Sequence, residues 1–255
     1  MIIRATESIL RATFPPCFIK VAKEKAHLEE LISGTIYMKA SGYYRNLDDN
    51  YRGDPYDGRC PVDPKLVRIV IEDPGSGESL FLDKEHGAEL TELSYGFVGD
   101  DRIPMFCMTK LNPDILSFYD DYSYVVTRAY VNEMTKFGDF FTIINAQEFI
   151  ERINSFNSSN SDKLIGKSVN YYSLEEMTRY SILNSKNKIG FESFFKKLDS
   201  YRYQNEWRMI LNSDRDLFED GKDFVKKYIG GPLTAKIFPI ELLGKMQFKI
   251  NKIEE

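Results

Sequence analysis

The residues best equipped for chemistry lie late in the chain, in Gln204-Asn205-Glu206-Trp207-Arg208, which runs on into Met209-Ile210-Leu211. Tyr203 to Leu211 reads as a strand, and on a strand residues two apart point to one face. Gln204 and Glu206 are therefore expected side by side, with the apolar residues behind them anchoring the strand in a core. A carboxylate at the mouth of a sheet accepts a ribose hydroxyl. It also stabilises positive charge developing at a sugar carbon, the need of an oxocarbenium-like transition state. The plainer reading of the same residues is an exposed edge strand, or a Glu206–Arg208 ion pair.

Other chemistries find less support. The acidic run from Asp48 to Gly58 (DDNYRGDPYDG) fails as a calcium loop, because Arg52 and Arg59 stand where oxygen ligands are needed. It reads as a structured turn started by Asp54-Pro55, with Arg45 or Arg52 pairing its carboxylates. A place for it beside an active site stays open, and it is the one carboxylate cluster that a metal-dependent phosphodiester enzyme would have. No metal site is expected. His27 and His86 are the only histidines, which leaves few ways to build a Ser-His-Asp or Cys-His arrangement. Cys107, within MFCMT, reads as a buried inert thiol. Neither phosphate-cradling glycine motif, G-x-x-x-x-G-K-S/T or G-x-G-x-x-G, occurs. Lys196-Lys197 and Lys226-Lys227 read as solvated helix faces.

These residues need elements to position them. CFIKV (Cys17 to Val21) reads as a strand after Pro15-Pro16. Glu24 to Ile32 reads as a helix closed by Gly34, and Thr35 to Lys39 as a second strand. Ser41 to Leu47 is a further helical turn. Leu66 to Glu72 and Glu78 to Asp83 form a hairpin across DPGSG. Ile103 to Thr109 is a buried strand, Tyr124 to Phe137 a helix, Asp139 to Ile144 a strand and Ala146 to Ile153 a helix. Phe191 to Leu198 is helical, and Leu233 to Phe238 with Lys245 to Ile250 close the sheet. Asn154 to Asp162 (NSFNSSNSD) reads as an exposed polar loop. The irregular alternation implies one α+β domain over residues 1–255. A net charge of -5 argues against a protein held to nucleic acid mainly by charge. Three cysteines without paired spacing, no leader and no long apolar run point to a cytoplasmic protein without a membrane span.

The chain resembles the ADP-ribosyltransferase-like superfamily in the order of its motifs. These are the strand FIKV, the helix EKAHLEELI, Gly34-Thr35-Ile36-Tyr37-Met38, Ser41-Gly42-Tyr43-Tyr44 and the late Gln204-Asn205-Glu206. It is also similar to a group of bacterial and phage-defence proteins with a Gly-Asp-Pro loop (here GDPYDG) and a late Glu-aromatic-Arg strand (here Glu206-Trp207-Arg208). The resemblance implies a split mixed sheet with flanking helices and NAD as a substrate. ADP-ribose would move to a macromolecular acceptor (RNA, DNA or protein), as in a toxin or anti-phage effector with an antitoxin or inhibitor protein as partner. In that scheme Lys20 contacts the NAD ribose or phosphate, Tyr37 lines the pocket and Tyr44 (or Tyr43) stacks on nicotinamide. Glu206 holds the ribose 2′-hydroxyl and stabilises the oxocarbenium-like state, while Gln204 orients the acceptor. Lys20 stands where the superfamily has His or Arg, and lysine is a point donor, not a planar fork. That departure keeps a second reading in play: a catalytically inactive interaction protein with the same fold.

Overall fold

The computed structural model describes residues 17–47, 51, 53–67, 69–82, 93–96, 98–120, 123–184, 190–218 and 221–249. Pro15-Pro16, His86 and part of the acidic loop lie outside them.

Strands β1 (Cys17–Ala22) and β2 (Thr35–Ala40) are joined by helix α1 (Lys25–Ile32). In β2 half-buried and buried residues alternate, the two-residue period of a strand with one face on a core. Helix α1 turns Leu28 and Leu31 inward and stops at Gly34, whose φ of 96° suits the left-handed residue that ends helices. One short helix, α2 (Ser41–Arg45), follows β2 directly. Two small pairs come next: β3 (Cys60–Val62) with β6 (Leu93–Tyr95), and the hairpin β4 (Ile69–Glu72) with β5 (Ser79–Leu82).

The central segment holds β7 (Pro104–Leu111), β8 (Leu116–Asp120), β9 (Ser123–Val126), α3 (Arg128–Met134), β10 (Phe140–Asn145) and α4 (Ala146–Ser159). After it come β11 (Lys163–Ser168), β12 (Asn170–Tyr172), α5 (Leu174–Asn184), β13 (Lys196–Leu198) and β14 (Glu206–Asn212). The chain closes with β15 (Phe224–Tyr228), β16 (Ile237–Pro239) and β17 (Gln247–Lys249).

The large sheet runs β11-β14-β7-β1-β10-β16, with β2 also on β7 and β15 on β2. The architecture is α+β. Every pairing in this sheet is antiparallel, where a mixed sheet was expected; the one parallel pair, β12 with β13, lies outside it. Strand β7 is a fork. Its C-terminal end pairs with β1, from Cys17↔Leu111 to Ile19↔Thr109, and its N-terminal end pairs with β2, at Lys39↔Met105 and Ala40↔Pro104. Between those stretches, among the described residues, Phe106 to Met108 have no strand partner on that side, and the sheet opens.

Alternation along β14 sorts its side chains. Trp207, Met209 and Leu211 enter one core with Phe18, Phe106 and Phe149. Ile210 joins Met105, Phe194 and Phe195 on the other face, where Ile19, Phe141 and Tyr130 build a further apolar cluster. Glu206 and Arg208 belong to this second face.

Four expectations need correction. The stretch Tyr124 to Phe137 is a strand up to Val126 and a helix only from Arg128, because Thr127 caps the helix by accepting the Tyr130 N–H. Helix α4 runs on through Ser159 across the expected polar loop, since Phe156 is still buried and the Asn and Ser residues occupy its outer side. Phe191 to Leu198 is a 3-10 turn (Gly190–Phe195) followed by β13. Strand β17 joins β9 and β8 in a separate sheet, so of the two expected closing segments only β16 (Ile237–Pro239) joins the large one. Among the described residues no helix is long and apolar enough to cross a membrane.

Candidate active site

The backbone just before Glu206 decides where its carboxylate goes. Residues Asp199–Gln204 form a 3-10 turn, and Asn205 adopts φ 44°, ψ 48° before β14 begins at Glu206. Asparagine tolerates this left-handed conformation better than most residues. Its amide is fixed by donating to Lys110 O at 2.8 Å and to Asn112 Oδ1 at 2.9 Å. Gln204 and Glu206 therefore do not share a strand face, contrary to the expectation. Nor is β14 an edge: it lies between β11 and β7, with Glu206 opposite Thr109 and Arg208 opposite Cys107.

Glu206 and Arg208, two apart on one strand face, form an ion pair with Nε to Oε1 at 2.7 Å. Arg208 Nη2 lies 2.7 Å from Asp57 Oδ1, and Nη1 donates to Phe194 O at 2.7 Å. Lys197 Nζ reaches Glu206 Oε2 at 3.2 Å and donates to Gln204 Oε1 at 2.9 Å. It also stands 3.9 Å from both Asp57 Oδ1 and Asp54 Oδ2. Each of these charged groups is buried: Arg208 is 0% exposed, Lys197 3% and Glu206 5%. A buried charge survives only with partners, and here two cations face three carboxylates.

The electrostatic result is lopsided. Burial alone would raise the Glu206 carboxyl, but the charges of Arg208 and Lys197 outweigh it and hold the group well below the usual carboxylate range. Lys197 and Arg208 are each opposed by burial, yet Asp57 and Glu206 push both above their ordinary values. Asp54 goes the other way. Desolvation, then the charge of Asp57, pushes it up to about 6 against the pull of Lys197. Burial also raises the Cys107 thiol to about 12 and keeps the Tyr44 hydroxyl neutral.

The opening in the fork of β7 is a cleft of 410 Å³, and Glu206, Arg208, Asp57 and Lys197 are part of its lining. Lys20 enters it from β1. Its ammonium donates to Cys107 O at 2.7 Å, a carbonyl on the strand edge left open by the split, and lies 4.6 Å from the Phe106 ring centre. Burial lowers the Lys20 pKa, with Cys107 and Glu206 opposing. Tyr37, on β2, is stacked on Phe224 at 4.7 Å. On α2, Tyr43 and Tyr44 meet edge to face at 5.4 Å, with Lys39 Nζ over the Tyr43 ring at 4.4 Å. Lys20, Tyr37, Tyr43, Tyr44, Gln204 and Glu206 all line this one cleft. The Gln204 amide is committed at both ends, to Lys197 and, through Nε2, to Tyr51 O at 2.8 Å, so it braces the wall rather than standing free.

Sequence reasoning missed Lys197 and left Asp57 unassigned. Lys197, expected on a solvated helix face, is instead set opposite Tyr171 by the parallel pairing of β13 with β12 and is buried. Asp57 is delivered by the acidic loop, whose Gly58 (φ 76°) packs so closely on Phe194 that a Cβ would lie 2.3 Å from the ring. The signal available was the Gly after Asp57 and the i, i+2 spacing of Glu206 and Arg208. Among the described residues no group of three or more His, Cys, Asp or Glu side chains is arranged to hold a metal ion. No protein-family model, no curated protein and no solved structure matches this chain.

Proposed function

We propose that the protein is an ADP-ribosyltransferase that uses NAD and passes ADP-ribose to a macromolecule, as a toxin or anti-phage effector. The observation that carries this reading is the ionised Glu206 carboxylate on β14, in a cleft at the split of the sheet that Lys20 and three tyrosines also line. A cleft of 410 Å³ falls within the roughly 300–1,000 Å³ of small-molecule sites. It accommodates the nicotinamide-ribose end of NAD, with the adenylate end toward the mouth. Glu206 would accept a hydrogen bond from the ribose 2′-hydroxyl and stabilise the sugar as the bond from C1′ to nicotinamide lengthens. The acceptor nucleophile would then take C1′ and lose its proton, and nicotinamide would leave with the bonding pair. A carboxylate offers about four lone-pair sites, and Arg208 and Lys197 leave room for one more donor. Lys20 would contact the ribose or diphosphate, and the faces of Tyr43 or Tyr44 would hold nicotinamide.

The test is transfer of label from adenylate-labelled NAD to cell lysate, with protein and nucleic-acid fractions counted separately, for wild type and Glu206→Gln. Transfer by wild type that vanishes in the variant supports the reading. A folded wild-type protein that neither transfers label nor releases nicotinamide overturns it. One observation favours a second reading, an inactive protein of the same fold that binds a ligand or partner: both Glu206 oxygens already contact cations. NAD binding without nicotinamide release would select it.

A further inference from the structure

A second cavity, of 870 Å³, lies on the other side of the Tyr203-to-Glu206 backbone. The two cavities share three elements residue by residue. Along the 3-10 turn and β14, Gln204 and Glu206 line the cleft while Tyr203 and Asn205 line the second cavity. Strand β7 contributes Thr109 to the first and Lys110 to the second, and α3 contributes Met134 to the first and Tyr130 to the second. The two cavities are therefore lined by neighbouring residues of the same segments.

We infer that this cavity binds the base and phosphate of an unpaired nucleotide in a single-stranded nucleic acid. Tyr171, Tyr172 and Tyr203 are among its lining residues, rings that can stack on a base. Two of these rings are fixed at their tips: the Tyr171 hydroxyl accepts the Glu206 N–H at 2.8 Å, and the Tyr203 hydroxyl donates to Tyr51 O at 3.1 Å. Rings held in this way stack a base without ordering themselves first, and stacking tolerates any sequence.

The charges favour a phosphate. Of the two acidic groups in the lining, Glu133 is paired with a cation, and the Asp114 charge acts on Lys110. Glu133 holds Lys136 at 2.8 Å, and Asp114 accepts from Asn112 Nδ2 at 3.0 Å. The cations have donors to spare. Lys110 is half-buried; no hydrogen bond or close ion pair joins its ammonium to a described residue, although the Asp114 charge partly offsets the lowering of its pKa by burial. Arg202 is exposed, 5.6 Å from the Tyr171 ring centre, and spends only Nη2, on Asp199 and on Tyr171 O. The buried Tyr130 hydroxyl, beside Thr109, has no hydrogen bond of good geometry. A duplex hides its bases from such a surface, whereas a single strand offers base faces and phosphates together. A net charge of -5 supplies no long-range attraction, so binding rests on these local contacts.

The site stands apart from the transferase reading, and its test needs no NAD. Fluorescence anisotropy of the full chain would be measured with labelled single-stranded DNA and RNA decamers, the matching duplex and free AMP. Single strands are expected to bind at least tenfold tighter than duplex or AMP. Two phosphate contacts imply a log–log salt slope of about −1.4. Tyr172→Leu and Lys110→Glu are each expected to weaken binding tenfold or more, with unfolding midpoints confirming the fold. Arg202→Glu, at an exposed position, serves if either of those fails to fold. Binding of neither strand overturns the inference. So does binding that all folded variants retain, and so does AMP binding as tight as the decamers. Loss of label transfer in Glu206→Gln with decamer binding intact leaves this inference standing and bears on the cleft alone.

Discussion

Glu206 and Arg208 meet at 2.7 Å across a single intervening residue, and Arg208 carries a second carboxylate, Asp57, at 2.7 Å on Nη2. Arg208 thus ties a late strand to an early loop at the floor of the cleft. Removing the cation would leave Asp57 and Glu206 buried with only Lys197 to face. Arg208→Met should lower stability by about 3–5 kcal/mol, the cost of breaking a buried pair from one side. Urea unfolding would measure it. The double variant with Glu206→Gln should cost less than the sum of the two single changes.

Asp54 and Glu206 should bend the pH–stability curve in opposite senses. Glu206 is depressed in the fold, so its stabilisation is complete above its unfolded pKa and is lost as pH falls toward the folded value. Asp54 is raised from 3.8 to about 6, so its contribution is present below 3.8 and is lost as pH rises through 6. Asp54→Asn should therefore gain about 1–3 kcal/mol relative to wild type between pH 4 and pH 7.5. Urea midpoints at the two pH values would show the difference. A gain equal at both would mean that Asp54 does not titrate in this interval.

Lys20 satisfies a carbonyl at the open edge of β7, which makes it part of the cleft's construction as well as of its charge. Lys20→Ala should weaken NAD binding about tenfold by calorimetry, the loss of one charged hydrogen bond. Lys20→Arg should recover part of it. Equal NAD affinity in all three proteins would remove Lys20 from the ligand's contacts.

Gly166 lies beneath the Trp207 indole, and a Cβ there would sit 2.2 Å from Cζ2. Gly166→Ala should cost about 1–3 kcal/mol through overpacking. Label transfer per folded molecule should stay unchanged, because Trp207 faces the core opposite Glu206. A scan of unfolding midpoint beside activity separates the two effects.

The front of the molecule was legible because its signals are local. Gly34 ends α1, and the alternation of Thr35–Ala40 declares a strand. Glu206 was legible as a carboxylate before an apolar run. What escaped depends on distant partners. Nothing in Lys196-Lys197 states that β12 will draw Lys197 inward to face Asp54, Asp57 and Glu206. The strand was also begun too early at Tyr203, because only the Asn205 contacts with Lys110 and Asn112 reveal the reversal before Glu206. The polar tail of α4 hid its helix because Phe156 alone carries the buried face there.

The fork of β7 also governs when the site comes into being during synthesis. One side is sealed by Ile19 against Thr109, the other by Lys39 against Met105, and the floor is laid by Glu206 and Arg208. Chains emerge from the ribosome N-terminus first, so the residues of both walls are made long before those of the floor. Until β14 has emerged, the cleft lacks the Glu206 carboxylate. On the transferase reading proposed above, the reaction would have to wait until most of the chain has been synthesised.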